Sequence, residues 1–180
     1  MRFVSLTLVL LSAPLCGAGP AWDTSLRLDL GPNTYIVVNT GPNRSELIPY
    51  RLQVRGTPIS VDPITSTLLI DLDEDGVSEV LTEETTARGT GLLERAFRLY
   101  RVSPKRIHRI LDEQSFLSSV PLPVGSEEQV RVFVRHQPSG SGVRSGVLAL
   151  HREHLAKETH SSTCKAFRLE HGQVLTAPCP

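Results

Sequence analysis

The chain has 180 residues, and its 19 Lys and Arg residues balance its 19 Asp and Glu residues to a formal net charge of zero. This balance argues against a nucleic acid or an anionic membrane as partner. Proteins that bind such polyanions by charge carry an excess of basic residues, and this chain has none. No transmembrane segment is expected either, since no apolar stretch reaches the roughly 20 residues that a spanning helix needs. The expected partner is an unidentified protein or carbohydrate.

Residues 1–21 have the features of a secretory signal peptide. A basic start precedes the apolar run 3–11, and small residues follow at 16–21. We expect cleavage after Ala18 or after Ala21, and we expect 22–180 to form a single all-β domain that is secreted or periplasmic. The alternative is a bacterial lipoprotein acylated at Cys16, which the large residue directly before that cysteine disfavours.

Strand signals dominate the mature sequence. Apolar and polar residues alternate, or β-branched residues cluster, in the segments 26–30, 35–38, 51–55 and 130–135. Gly-Pro-Asn turns at 31–33 and 41–43 bracket the second of these segments. This pattern predicts an all-β fold with antiparallel strands, either a sandwich or an open sheet that carries a propeller-blade-like hairpin, with little helix.

Two segments are ambiguous. The segment 92–100 has apolar residues at helical spacing, but a turn at 103–105 would also let it form a hairpin with 107–111, and we favour the hairpin. The segment 150–157 is consistent with one or two helical turns.

Two cysteines remain after the predicted cleavage, and an exported chain usually bonds such a pair. If His171 and Gly172 form a two-residue hairpin turn, Glu170 faces Gln173, and the same register places Cys164 opposite Cys179. Directly opposed residues are close enough for a disulfide bond. Pro178 is expected to weaken the strand ladder near the pair.

Acidic side chains alternate in the segment 70–81, and Gly76 permits a tight bend within it. Calcium takes about six to eight oxygen ligands, and a bent loop with alternating carboxylates supplies them. The predicted ligands are the side chains of Asp71, Asp73, Asp75 and Glu79 and the backbone carbonyl of Val77. A metal would also relieve the mutual repulsion of these carboxylates. The sequence therefore predicts one calcium ion; the alternative is a solvated acidic turn.

This segment resembles the calcium loop of FG-GAP and VCBS-type repeats. In those repeats an Asp-x-Asp-x-Asp-Gly-x-x-Asp run joins two strands of a β-propeller blade and binds calcium. Glu74 stands where the family has glycine, Glu79 stands where it has aspartate, and only one copy is present. An EF-hand is disfavoured because Thr82 occupies the twelfth position. The resemblance implies an adhesion or ligand-binding scaffold, or an accessory module of a secreted enzyme.

A histidine-rich segment supports an alternative function. His151, His154 and His160 lie near two glutamates, as a small secreted metal-dependent hydrolase would require, but their spacing matches no zinc-hydrolase motif. Ser141 lies in a glycine-rich loop without a nucleophile elbow. We therefore expect no catalytic residue.

A strip of basic residues spans 95–109. It could bind an acidic polysaccharide or a phosphate, although solvated charge on an outward strand face is the simpler interpretation. The expected function is a non-catalytic exported calcium-binding β module that acts in binding, in adhesion or at the cell envelope. A secreted inhibitor or assembly factor that acts through a strand edge is a further alternative.

Overall fold

The computed structural model describes residues 22–89, 92–103, 105–119, 128–137, 146–156 and 159–180, with the backbone alone for 116–119, 128–137, 154–156 and 159–160. These residues form thirteen strands and no helix. The strands are β1 (Thr24–Gly31), β2 (Thr34–Thr40), β3 (Ser45–Arg51), β4 (Val54–Arg55), β5 (Ile59–Val61), β6 (Ile64–Ile70), β7 (Glu79–Gly89), β8 (Leu92–Val102), β9 (Ile107–Ser119), β10 (Glu128–Gln137), β11 (Val147–Ala156), β12 (Thr159–Glu170) and β13 (Gln173–Ala177). The predicted antiparallel all-β fold class is confirmed.

Two antiparallel sheets make up the fold. The small sheet consists of β1 to β5, where β3 pairs with β2 along one edge and with both β4 and β5 along the other. The large sheet is a meander of β6 to β13, in which every strand pairs with its neighbours in the chain. Two to nine residues separate consecutive strands of this sheet, which suits this order because antiparallel neighbours need no long crossover connection.

Both ambiguous segments are strands. β8 pairs with β9 in antiparallel register, so the predicted hairpin between 92–100 and 107–111 is confirmed. The helical turns expected at 150–157 are wrong, because β11 extends through this segment as far as Ala156. β11 pairs with β10 on one side and β12 on the other, and these ladders outweigh the helical propensity of its Leu, Ala and Glu residues, which are good helix formers.

The core consists of two clusters that lie on opposite faces of β7 and β8. One cluster joins the two halves of the large sheet and contains Ile70, Leu72, Leu81, Leu99, Leu111, Leu148, Leu150, Phe167 and Leu169. The other joins the small sheet to the large sheet and contains Leu30, Ile36, Val38, Leu47, Val80, Tyr100, Val102 and Ile107. Consecutive residues such as Val80 and Leu81 enter different clusters because strand side chains alternate between faces. The start of β7 is therefore buried on both faces.

The C-terminal hairpin has the predicted register. Glu170 pairs with Gln173, and the ladder continues to Ala166 opposite Ala177 before it ends next to Pro178. His171 and Gly172 both have positive φ, at 51° and 77°, as a type I′ turn requires. The disulfide bond between Cys164 and Cys179 closes the hairpin, with 6.2 Å between the two Cα atoms.

The predicted signal peptide at 1–21 lies outside the described residues. In the part of the chain that is described, no helix is long and apolar enough to cross a membrane.

Candidate functional site

The acidic segment forms the loop between β6 and β7, at the place where the two sheets meet. The amide of Ser78 donates to the carbonyl oxygen of Leu30 at 2.6 Å, which fastens the loop to the small sheet. The amide of Gly146 donates to the carbonyl oxygen of Leu72 at 2.8 Å, which fastens it to the residue that precedes β11. Gly31 is required for this approach, because a Cβ atom there would overlap the carbonyl oxygen of Gly76. The loop is thus held from both sides.

Hydrogen bonds within the loop fix its bend. The Asp71 carboxylate accepts the amides of Asp75 at 3.1 Å and Gly76 at 3.0 Å, and the Asp75 carboxylate accepts the amide of Val77 at 2.8 Å. Glu74 has a φ of 55° and Gly76 a φ of 85°. Such aspartate-to-backbone bonds offer the chain an alternative to a strand ladder, so the segment stays a loop. Glu74 occupies the left-handed region that glycine adopts more readily.

Three predicted ligands come together. Asp71, Asp73 and Glu79 each offer a carboxylate oxygen, and these atoms lie within 4.8 Å of one another; we name these three residues the acidic cluster. Asp75 is a neighbour on the loop but not a member of this group, and its side chain is exposed. Val77 packs against the core between the sheets, and its amide is bound by Asp75.

Glu79 is the most unusual member of the cluster, because only 1% of its surface is exposed. Its carboxylate accepts one hydrogen bond among the described residues, from the amide of Leu72 at 3.0 Å. The pKa of this carboxyl is raised from 4.5 to about 7, mainly by burial and also by the neighbouring Asp73 and Asp75 charges, whereas the Leu72 amide and Arg101 oppose the shift. A buried carboxylate with so few donors is stabilised by any cation that reaches it.

Arg101 on β8 supplies a cation within the protein. One of its terminal nitrogens lies 2.9 Å from Asp73 Oδ2 and 3.1 Å from Asp75 Oδ2, but its Nε lies 4.0 Å from Glu79 Oε1. Asp73 Oδ1 and Arg101 Nη1 are buried without a hydrogen-bond partner among the described atoms. The guanidinium therefore neutralises part of the cluster but leaves polar atoms unsatisfied.

A second buried glutamate lies on the same strand. Glu84 is 0% exposed, and its carboxylate accepts the hydroxyls of Thr82 at 2.6 Å and Tyr100 at 2.7 Å. Arg98 donates to its other oxygen at 2.6 Å and also reaches Asp62 at 2.7 Å. Every oxygen of Glu84 therefore has a close donor, and we name this group the Glu84 network, with members Thr82, Glu84, Arg98 and Tyr100.

The donor set of the acidic cluster suits a hard divalent cation. Carboxylate oxygens are the ligands that calcium prefers, and the cluster offers three carboxylates from one loop and the strand that follows it. Glu79 would have to lose its proton to ligate a metal. Arg101 pairs with Asp73 Oδ2, so its positive charge opposes a second cation at the cluster, whereas Asp73 Oδ1 has no hydrogen-bond partner among the described atoms.

Comparison of the chain with known protein families, curated proteins and solved structures finds no match. The resemblance of the loop to FG-GAP and VCBS-type repeats therefore stays a prediction that rests on its residues alone.

The described residues do not bring the candidate catalytic side chains, the histidines and Ser141, together in a site. His151 has a buried Nε2 without a hydrogen-bond partner among the described atoms, whereas the side chains of His154 and His160 lie outside the described residues. Ser141 and its loop also lie outside them. The hydrolase hypothesis stays untested.

The sequence did not indicate the roles of Arg101, beside the acidic cluster, and of Glu84, in the separate network. Arg101 belongs to the basic strip, but its position beside the acidic cluster depends on the register of β7 and β8. Val80 pairs with Tyr100 in this register, so Glu79 approaches Arg101. Glu84 belongs to no motif, and an isolated glutamate in a predicted strand is expected to be exposed to solvent.

Proposed function

We propose that the chain is an exported, non-catalytic β module whose β6–β7 loop binds one calcium ion through the acidic cluster. The observation that carries the proposal is the environment of Glu79, a buried carboxylate with one amide donor and its nearest guanidinium nitrogen 4.0 Å away. Asp75 and the Val77 carbonyl are candidate additional ligands. Backbone hydrogen bonds already join the loop to both sheets, and the ion would stabilise the loop further in this position.

The exported location is supported by two features. The residues at 1–21 have the pattern of a signal peptide, and the Cys164–Cys179 disulfide is typical of oxidising compartments. A secreted or periplasmic protein also meets calcium at higher concentration than a cytosolic one, so a site of modest affinity would be filled. The proposed role is binding or adhesion at the cell envelope, toward a protein or carbohydrate partner.

Thermal unfolding of the mature protein with calcium and with a chelator tests the metal proposal. Calcium at a hundredfold excess over its dissociation constant should raise the free energy of unfolding by about 2.7 kcal/mol. Asp73→Asn should abolish the calcium response, whereas the matched variant Asp29→Asn, at an exposed ion pair outside the cluster, should retain it. Superimposable melting curves of the wild type with and without calcium would overturn the proposal.

A further inference from the structure

A second polar feature lies between the two sheets, apart from the acidic cluster. It is a pocket of about 560 Å³, a volume in the range of small-molecule sites. The small sheet contributes the β2–β3 turn and the β5 region, and the large sheet contributes β8 and β9. The lining residues that matter here are Arg44, Ser60, Asp62, Arg98, Tyr100 and Arg109.

Hydrogen bonds and ion pairs hold two side chains of the pocket, those of Arg98 and Tyr100, in place. Arg98 is held by Glu84 and Asp62, and its Nε lies 3.3 Å from Asp112. The hydroxyl of Tyr100 donates to Glu84, so this ring is anchored in the Glu84 network. Side chains fixed in this way lose little conformational freedom when a ligand binds.

Two exposed arginines, Arg44 and Arg109, line the pocket. Arg44 has no ion-pair partner in the described part of the chain, and its guanidinium lies 5.7 Å from the Trp22 ring. Arg109 is half exposed and pairs with Asp112 at 3.0 Å. Arg98 is already paired with carboxylates, so Arg44 supplies the positive charge without an ion-pair partner among the described residues, and Arg109 adds a guanidinium that shares Asp112 with Arg98. Arginine binds carboxylates through two parallel hydrogen bonds, which favours a carboxylate as one end of the ligand.

The rest of the lining favours hydroxyl groups at the other end of the ligand. Asp62 keeps 44% of its side-chain surface exposed although it pairs with Arg98, so its carboxylate can accept further hydrogen bonds. Ser60 is exposed beside it and both donates and accepts. A sugar acid combines one carboxylate with several hydroxyls and fits a volume of this size.

We infer that this pocket binds an acidic carbohydrate through a uronate unit, with the carboxylate at Arg44 and Arg109 and hydroxyls at Asp62 and Ser60. The pocket shares no lining residue with the acidic cluster, so ligand binding and calcium binding are separate properties. The inference names a ligand class for the proposed module, and its failure would leave the calcium proposal intact.

Titration calorimetry with trigalacturonate tests this inference, with neutral galactotriose and inorganic phosphate as comparison ligands, in calcium and in chelator. Trigalacturonate should bind, the neutral trisaccharide should not, and added salt should weaken binding. Arg44→Gln and Arg109→Gln should each weaken binding by about tenfold or more, because each removes a charge-assisted contact. Arg106→Gln, at an exposed residue of the β8–β9 turn outside the pocket, should leave it unchanged.

The two test arginines are exposed, so their variants should keep the fold, which circular dichroism checks. Absence of trigalacturonate binding to the wild type would overturn the inference. Equal affinity for phosphate would also overturn it, because that result indicates a general anion site. Binding that survives both pocket substitutions would place the ligand elsewhere and would overturn it as well.

Discussion

The two buried glutamates of β7 have the same chemistry and the same burial but different surroundings. Glu84 receives two hydroxyl donors and a guanidinium at hydrogen-bond distance, whereas Glu79 receives one amide and has its nearest guanidinium nitrogen at 4.0 Å. Burial of a charge is tolerated when donors surround it and is costly when they do not. The carboxylate of Glu84 therefore has donors at both oxygens, which makes its network complete. The carboxylate of Glu79 has too few donors, and a bound cation would supply the missing contact.

The largest expected effect comes from breaking the complete network. Arg98→Ala leaves Glu84 buried without its guanidinium, so the free energy of unfolding should fall by about 3 kcal/mol or more. Calcium should not restore this loss, because the network lies outside the acidic cluster. Chemical denaturation measures the change, and Arg106→Ala at an exposed turn serves as the control, with an expected effect within about 0.5 kcal/mol. A similar small loss for both variants would remove the distinction between the two glutamates.

The pH dependence of the calcium-free protein sharpens the comparison at Glu79. Its pKa is raised from 4.5 to about 7 in the folded state, mainly by burial, so between these values the folded chain holds a proton that the unfolded chain has lost. This group should therefore make the free energy of unfolding fall as pH rises from about 4.5 to 7, by about 3 kcal/mol at most.

Denaturation of wild type and Glu79→Gln across this pH range, both in chelator, isolates the contribution. The glutamine variant has no proton to lose, so its stability should decline less steeply than that of the wild type. Parallel curves for the two proteins would show that Glu79 has the same pKa in the folded and unfolded states. That result would contradict the raised pKa expected from its burial.

A smaller effect is expected at Arg101, the internal cation of the incomplete network. Arg101→Gln removes its ion pairs with Asp73 and Asp75, which are partly exposed, so the calcium-free protein should lose about 1 kcal/mol. The same variant should bind calcium about tenfold more tightly, because a competing positive charge is gone. Calorimetric titration measures the affinity, with Arg106→Gln as the charge-matched control. Weaker calcium binding in Arg101→Gln would contradict the competition.

The parts of the fold that were predictable from sequence are those that local rules decide. The turn at His171 and Gly172 set the register that brings Cys164 and Cys179 together, because a two-residue turn fixes every pair along a hairpin. The β8–β9 hairpin followed from turn residues in the same way. The error at 150–157 arose because β11 is stabilised by strands on both sides, which its own residues do not reveal. The strand expected at 51–55 is also wrong, because Leu52 and Gln53 have positive φ and form the turn between β3 and β4.

The site itself was predictable in part. The spacing of Asp71 and Asp73 indicated a shared centre, and the structure brings them together with Glu79. The role of Arg101 was not predictable, since it depends on the pairing of two long strands rather than on a motif. The burial of Glu79 and Glu84 follows from β7 being covered on both faces, and that arrangement requires knowledge of how the sheets pack.

Calcium titration of the wild type, Glu79→Gln and Glu84→Gln by calorimetry at pH 8 tests the central claim most directly. Both variants replace a buried glutamate on one strand, so they differ only in which network they alter. One calcium ion per chain should bind to the wild type and to folded Glu84→Gln, while Glu79→Gln should lose binding or bind far more weakly. No calcium binding by the wild type, or equal affinity in both variants, would contradict the claim.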